Sequence, residues 1–176
     1  INVEFLVFIF YEKSPRYVLN HLSLKQIAEI FHNKKVGVFV NETIEKIVEI
    51  SHNAKLNLIQ LHGDQNEDFI IELKTKLPEN IKIIKVIRIG TDFSNVKSRL
   101  KKVSNLVSPI SYLLFDTDSS AFGGTGKSFD WQILDDLDIP LPYFLSGGIS
   151  LENVVEIENV GNKPFALDVN SKFETE

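Results

Sequence analysis

Val36-Gly-Val-Phe-Val40, Thr43-Ile-Glu-Lys-Ile-Val-Glu-Ile-Ser51 and Leu56-Asn-Leu-Ile-Gln-Leu61 follow one another with only short connectors. The first and third runs are short and largely apolar, as strands buried on both faces are. The middle run is amphipathic. Ile44, Ile47 and Val48 form one stripe at helical spacing, and Asn41 or Thr43 can cap its start. Strand, helix, strand in that order reads as a parallel pair joined by a right-handed crossover.

The same alternation extends in both directions. Further strands are expected at Val3–Phe10, Ile81–Ile89, Tyr112–Phe115, Tyr143–Ser146 and Phe165–Val169. Further helices are expected at Leu24–Phe31, Glu67–Leu77, Asn95–Val103, Asp130–Leu137 and Leu151–Ile157. The first of these puts Leu24, Ile27, Ala28 and Phe31 on one face, and Pro78 ends the second. Strict alternation implies an α/β protein with a parallel sheet. An open doubly wound sheet and a closed (β/α)8 TIM barrel both fit, and the short, even units favour the barrel. Residues 1–176 then read as a single (β/α) barrel domain holding strands 2 to 8, without the first βα unit and the last helix. Seven strands alone would leave two exposed edges. Ile1 lies inside an apolar run with no methionine before it, so further sequence is expected upstream.

The chain has 176 residues, 43% hydrophobic and 24% charged, with formal net charge -5. That suffices for one domain with a sizeable core. No dense basic stripe appears, so nucleic acid is not an expected partner. No run of about 18 apolar residues occurs, so no membrane span is expected. The sequence contains no cysteine, hence no disulfide, thiolate zinc site or cysteine nucleophile within these residues.

In such barrels the working residues lie at the carboxyl ends of strands and in the loops beyond. Four clusters fall there. Ser14-Pro-Arg-Tyr17 offers Arg16, a planar fork for a carboxylate or phosphate, though a solvated loop arginine would look the same. Gln60-Leu-His-Gly-Asp64 places His62 at a strand end, where a histidine can be structural or can face a ligand. His21, His32 and His52 look like surface residues. Asp116 ends an apolar strand, a costly place for a carboxylate without a purpose. Beyond it, Phe122-Gly-Gly-Thr-Gly-Lys127 could bring backbone N–H groups to an anion, with a helix N-terminus near Ser128, or could be a plain surface loop. Its spacing is not that of a nucleotide-binding P-loop. Ser146-Gly-Gly-Ile149 and Asp168-Val-Asn-Ser171 close the last two strands, where barrels commonly hold phosphate.

Together these residues resemble phosphoribosylanthranilate isomerase. The resemblance rests on Phe8-Ile-Phe-Tyr-Glu-Lys-Ser-Pro-Arg-Tyr17, Val36-Gly-Val-Phe-Val-Asn41, Gln60-Leu-His-Gly63, Asp116 with Gly123-Gly-Thr-Gly-Lys127, Leu145-Ser-Gly-Gly-Ile149 and Asp168-Val-Asn-Ser171. The motifs are collinear and span essentially the whole chain. The resemblance implies an Amadori rearrangement in tryptophan biosynthesis, turning N-(5-phosphoribosyl)anthranilate into 1-(2-carboxyphenylamino)-1-deoxyribulose 5-phosphate without metal or cofactor. It implies Asp116 as the general acid on the furanose ring oxygen, Arg16 on the anthranilate carboxylate and His62 lining the site. Gly124, Thr125, Gly126, Gly147, Gly148 and Ser171 would surround the phosphate. The family's base is a cysteine at the end of strand one. These residues hold none, so the chain as given is expected to be inactive by itself. Val7 stands where the family usually has glycine.

The implied setting is cytoplasmic, with a small phosphosugar substrate and a monomer or homodimer. Indole-glycerol-phosphate synthase would call for catalytic lysines at strand ends, and Lys85 lies inside a strand. A ribulose-phosphate epimerase would call for paired histidines and acids. A non-catalytic phosphosugar-binding remnant of the barrel is the remaining alternative.

Overall fold

The computed structural model describes residues 3–90, 93–104, 106, 109–117, 129–169 and 172–173. The chain divides into two compact units, Ile1–Lys85 with Ser108–Ser111, and Val86–Val107 with Tyr112–Glu176. Strand order follows chain order, β1 to β7, and the unit boundary falls within β4.

In the first unit β1 (Leu6–Ile9), β2 (Lys35–Phe39), β3 (Leu58–Leu61) and the opening half of β4 (Lys82–Ile89) run parallel. Val7 sits opposite Val36, Val38 opposite Gln60 and Leu61 opposite Lys85. Helices α1 (Leu24–Glu29), α2 (Ile44–Asn53) and α3 (Glu67–Lys76) return the chain between them. Each starts on a side-chain cap. Ser23 and Gln26 form a reciprocal capping box, Thr43 accepts from Lys46 N, and Asn66 accepts from Phe69 N. Of the two candidate caps for α2, Thr43 is therefore the one used. Helix α1 is shorter than its apolar spacing suggests, because Ile30 turns extended at φ -64 and ψ 118. Phe31 consequently leaves the expected stripe and stands in solvent.

Every residue of β2 and β3 is buried, which explains their largely apolar character, Lys35 and Gln60 excepted. Gly37 makes room inside β2. A β-carbon there would overlap Leu56 Cδ1 and lie 2.9 Å from the Phe39 ring and 3.3 Å from the Phe10 ring. Those two rings stack at 5.3 Å beside it. The strand begins one residue earlier than expected, at Lys35, whose buried ammonium donates to Ile27 O at 3.0 Å, Ala28 O at 3.3 Å and Ala54 O at 3.2 Å. One cation thus satisfies the open carbonyl ends of both α1 and α2.

The second unit holds the closing half of β4, α4 (Phe93–Ser104), β5 (Tyr112–Thr117), β6 (Tyr143–Leu145) and β7 (Ala166–Leu167). Leu114 pairs with Phe144, and Leu145 with Leu167. Phe115 and Tyr143 meet edge to face at 5.2 Å, and Tyr112 stacks on Phe165 at 5.5 Å. Two expected α-helices are instead 3-10 helices, Trp131–Asp136 and Val154–Asn159. Each has six residues, a length at which 3-10 hydrogen bonding is common. β7 is also shorter than expected, with Phe165 and Val169 outside it and exposed.

Candidate active site

The strand ends of the two units carry the residues with chemistry. In the first unit the loop after β1 is a built turn rather than loose chain. Ser14 N donates to Tyr11 O, Tyr17 N donates to Ser14 O, and the Ser14 hydroxyl accepts from Arg16 N at 3.2 Å. Tyr17 then bridges back to Ile9. The backbone of Arg16 is thereby fixed at the carboxyl end of β1, with its side chain half-buried. At the end of β3, buried Gln60 approaches His62, Nε2 to Nδ1 at 3.4 Å, and the imidazole is half-buried. The other histidines fall away from such positions. His21 and His52 are exposed, and His32 lies against the Val3 carbonyl and Lys34 N.

In the second unit β5 runs to Thr117, two residues further than expected. Asp116 thus belongs to the strand end itself. Its Oδ1 accepts from Thr117 N at 2.9 Å, and the side chain is half-buried. Ser146 N donates to Phe115 O at 2.8 Å, so the glycine turn after β6 starts level with Asp116. Gly147 and Gly148 have φ of 88 and 73, a left-handed run that glycine adopts freely. A β-carbon on Gly147 would lie 2.5 Å from Thr117 Oγ1 and 2.9 Å from Asp116 Oδ1. Asn153 braces the turn from behind. Its Nδ2 donates to Gly148 O at 2.9 Å, and its Oδ1 accepts from Ser150 N at 2.8 Å.

The structure therefore brings Asp116 together with Gly147 and places Gly148 on the same turn. Arg16 follows β1 and His62 follows β3 in the first unit, with β2 between those two strands. Gly124, Thr125, Gly126 and Ser171 lie outside the described residues. The helix expected to add its positive end near Ser128 is the short 3-10 helix Trp131–Asp136, so its macrodipole has little to offer an anion there. Sequence reading gave no role here to Thr117 or Asn153, and took Asn41 only as a possible cap and Lys85 only as a strand residue. Only Asn153 carried a local signal, a Ser-x-x-Asn spacing from Ser150. Among the described residues, no three His, Asp or Glu groups gather as they would around a metal ion, and no helix is long and apolar enough to cross a membrane.

Parallel strands alternating with helices, and polar groups gathered at the carboxyl ends of those strands, define the (β/α)8-barrel class of enzymes. Among the described residues are seven of its eight strands. Within that class, a model described as "N-(5'phosphoribosyl)anthranilate (PRA) isomerase" matches residues 2–176, and the chain belongs to this family. It is 38% identical over 179 residues to the N-(5'-phosphoribosyl)anthranilate isomerase of Parabacteroides distasonis, covering 100% of this chain and 77% of that one. It is 37% identical over 180 residues to the isomerase of Caldanaerobacter subterraneus, covering 99% and 80%. Its backbone is similar to that of phosphoribosyl anthranilate isomerase from Thermotoga maritima. The TM-score is 0.75 at 34% identity, over 99% of this chain and 80% of that one. An isomerase solved in complex with reduced 1-(o-carboxyphenylamino)-1-deoxyribulose 5-phosphate matches with a TM-score of 0.69 at 32% identity, covering 99% and 79%.

Proposed function

We propose that this protein isomerises N-(5-phosphoribosyl)anthranilate to 1-(2-carboxyphenylamino)-1-deoxyribulose 5-phosphate, the Amadori step of tryptophan biosynthesis. Beyond family membership, the observation that carries the reading is the apposition of Asp116 and the Gly147-Gly148 turn at adjacent strand ends. A carboxylic acid beside a glycine turn suits a substrate with a sugar ring to protonate and a phosphate to anchor.

In this reading Asp116 gives its proton to the furanose ring oxygen as the ring opens to the Schiff base. The C2 proton then leaves to a base, and the enol amine collapses to the ketose. Arg16 pairs with the anthranilate carboxylate in bidentate fashion. His62 lines the site near the substrate. The phosphate is held chiefly by backbone groups of Gly147 and Gly148, with Gly124, Thr125, Gly126 and Ser171. Anchoring both ends leaves the sugar fixed between acid and base.

The base that removes the C2 proton is, by the resemblance, a cysteine, and these 176 residues contain none. Taken alone, they are read as binding substrate without turning it over. We read residues 1–176 as one barrel domain, working in the cytoplasm on a small phosphosugar as a monomer or homodimer. Among the structural relatives are monomers generated from the dimeric phosphoribosylanthranilate isomerase of Thermotoga maritima.

The test is turnover of N-(5-phosphoribosyl)anthranilate generated in situ, followed by loss of its fluorescence, for the native gene product and Asp116→Asn. General acid catalysis is worth roughly a hundredfold or more, so kcat should fall by at least that factor. An unchanged kcat would remove Asp116 from the chemistry.

A further inference from the structure

The turn after β3, His62-Gly63-Asp64, is held from both neighbouring strands. From the end of β2, Asn41 Oδ1 accepts the Asp64 N–H at 2.8 Å. From β4, Lys85 Nζ donates to Gly63 O at 3.0 Å. His62 N itself donates to Phe39 O at 2.9 Å. Gly63 is buried between these holds, and a β-carbon there would overlap Asn41 Oδ1 and lie 2.6 Å from the Asn41 backbone nitrogen. Asn41 stands at φ 50, a left-handed conformation that asparagine accepts better than most residues. Its residue type thus answers two demands at once, the backbone conformation and a side-chain acceptor. Glycine would meet the first alone, and aspartate would meet both.

We propose that Asn41 is a positioning residue of the isomerase. By holding the Asp64 N–H it fixes the turn, and through the turn it fixes the direction in which His62 presents its imidazole to substrate. Lys85 grips the same turn from the other side. The proposal rests on the reading of His62 as a residue lining the substrate site.

The experiment is steady-state kinetics on the native gene product with N-(5-phosphoribosyl)anthranilate, for wild type, Asn41→Gly, Asn41→Asp, His62→Ala and the double variant Asn41→Gly/His62→Ala, with thermal midpoints alongside. Asn41→Gly is expected to raise KM roughly tenfold, since small misplacements of a contact group are costly. Asn41→Asp should stay within about twofold of wild type, because it keeps the acceptor. On the His62→Ala background, Asn41→Gly should add almost nothing, because the two act through one contact. Should Asn41→Gly not fold, Lys85→Met reads the same turn from β4. The proposal is overturned if Asn41→Gly, or Lys85→Met in its place, shifts only the thermal midpoint. It is equally overturned if its effect persists in full without His62. A wild type without turnover would sink the isomerase reading itself. A silent His62→Ala in an active wild type would sink the reading of His62, and the role of Asn41 with it.

Discussion

Gly147 packs directly over Asp116, leaving no room for a side chain between the end of β6 and the carboxylate that ends β5. A β-carbon at position 147 would stand 2.9 Å from Asp116 Oδ1 and 2.5 Å from Thr117 Oγ1, on a backbone with φ of 88. The carboxylate and the turn that would hold phosphate are thus one packed unit, and a change at one is felt at the other.

Gly147→Ala therefore strains the turn and pushes Asp116 aside together. We expect kcat/KM to fall about a hundredfold, as for other misplacements near 1 Å. The stability loss should be about 1–3 kcal/mol, the usual cost of a non-glycine residue forced left-handed in a packed site. Kinetics and thermal unfolding of the purified variant check both. Retained kcat/KM would mean that Asp116 tolerates displacement and is not the acid.

Asn153→Ala removes the brace behind Gly148 and leaves Gly148 O and Ser150 N without this side-chain partner. If the turn grips phosphate, KM should rise roughly tenfold while kcat changes less, the pattern of lost ground-state binding. Inhibition by inorganic phosphate should weaken in parallel. A fall in kcat with unchanged KM would place the turn outside phosphate binding.

Lys35→Met should destabilise the first unit without touching the strand-end residues. Ala28 O and Ala54 O lose the ammonium that satisfies them, while Ile27 O keeps the Ile30 N–H. Leaving buried polar groups unsatisfied costs about 1–3 kcal/mol each before relaxation, so a net loss of about 2–4 kcal/mol in urea unfolding is expected. Burial, and then the charge of Lys55, hold the Lys35 ammonium below its ordinary range. Its charged form is therefore disfavoured by folding, and that penalty is relieved as pH rises toward the unfolded value. The gap between wild type and Lys35→Met should accordingly widen with rising pH up to about 10.4, the ordinary lysine value.

Asp135 and Tyr143 set opposite pH limits on one loop. Asp135 accepts from Gly161 N at 3.0 Å and Asn162 N at 2.8 Å, and those N–H groups hold its carboxyl below the ordinary range. A depressed carboxylate contributes stability above its unfolded value, lost as pH falls through the folded one. Asp135→Asn should flatten the loss of stability below about pH 3.9, the ordinary aspartate value. Tyr143 donates its hydroxyl proton to Asn162 O, and burial, then the charge of Asp135, push its phenol up to about 12. A raised phenol contributes stability below its unfolded value, lost as pH climbs from about 10 through the folded one. Tyr143→Phe should remove that alkaline slope, measured as urea midpoint against pH.

The regions read most easily were those where one cause dominates. β2, β3 and β6 are buried along their whole length, so their sequences are apolar apart from Lys35 and Gln60. Asp116 was visible because a carboxylate after four apolar residues demands a reason. Helix class and helix ends were harder. Trp131–Asp136 and Val154–Asn159 carry apolar residues at helical spacing, which does not separate an α-helix from a short 3-10 helix. Phe31 fits a helical stripe in sequence, but α1 stops before reaching it.

The sequence by itself determined the alternation of strands and helices, the strand ends at which chemistry could gather, and the family, because periodicity and motif order are local properties of the chain. Tertiary structure alone decided which polar groups meet. Lys35 reads as an ordinary charged residue until the ends of two helices converge on its ammonium. Asn41 reads as a possible helix cap until its side chain is seen on Asp64, 23 positions away. Gly147 reads as a turn until Asp116 is found pressed against it. In each case the partner lies on a different element or in the loop beyond it. Parallel strands bring such residues side by side only after the intervening helix has packed, and no spacing in the sequence records that approach.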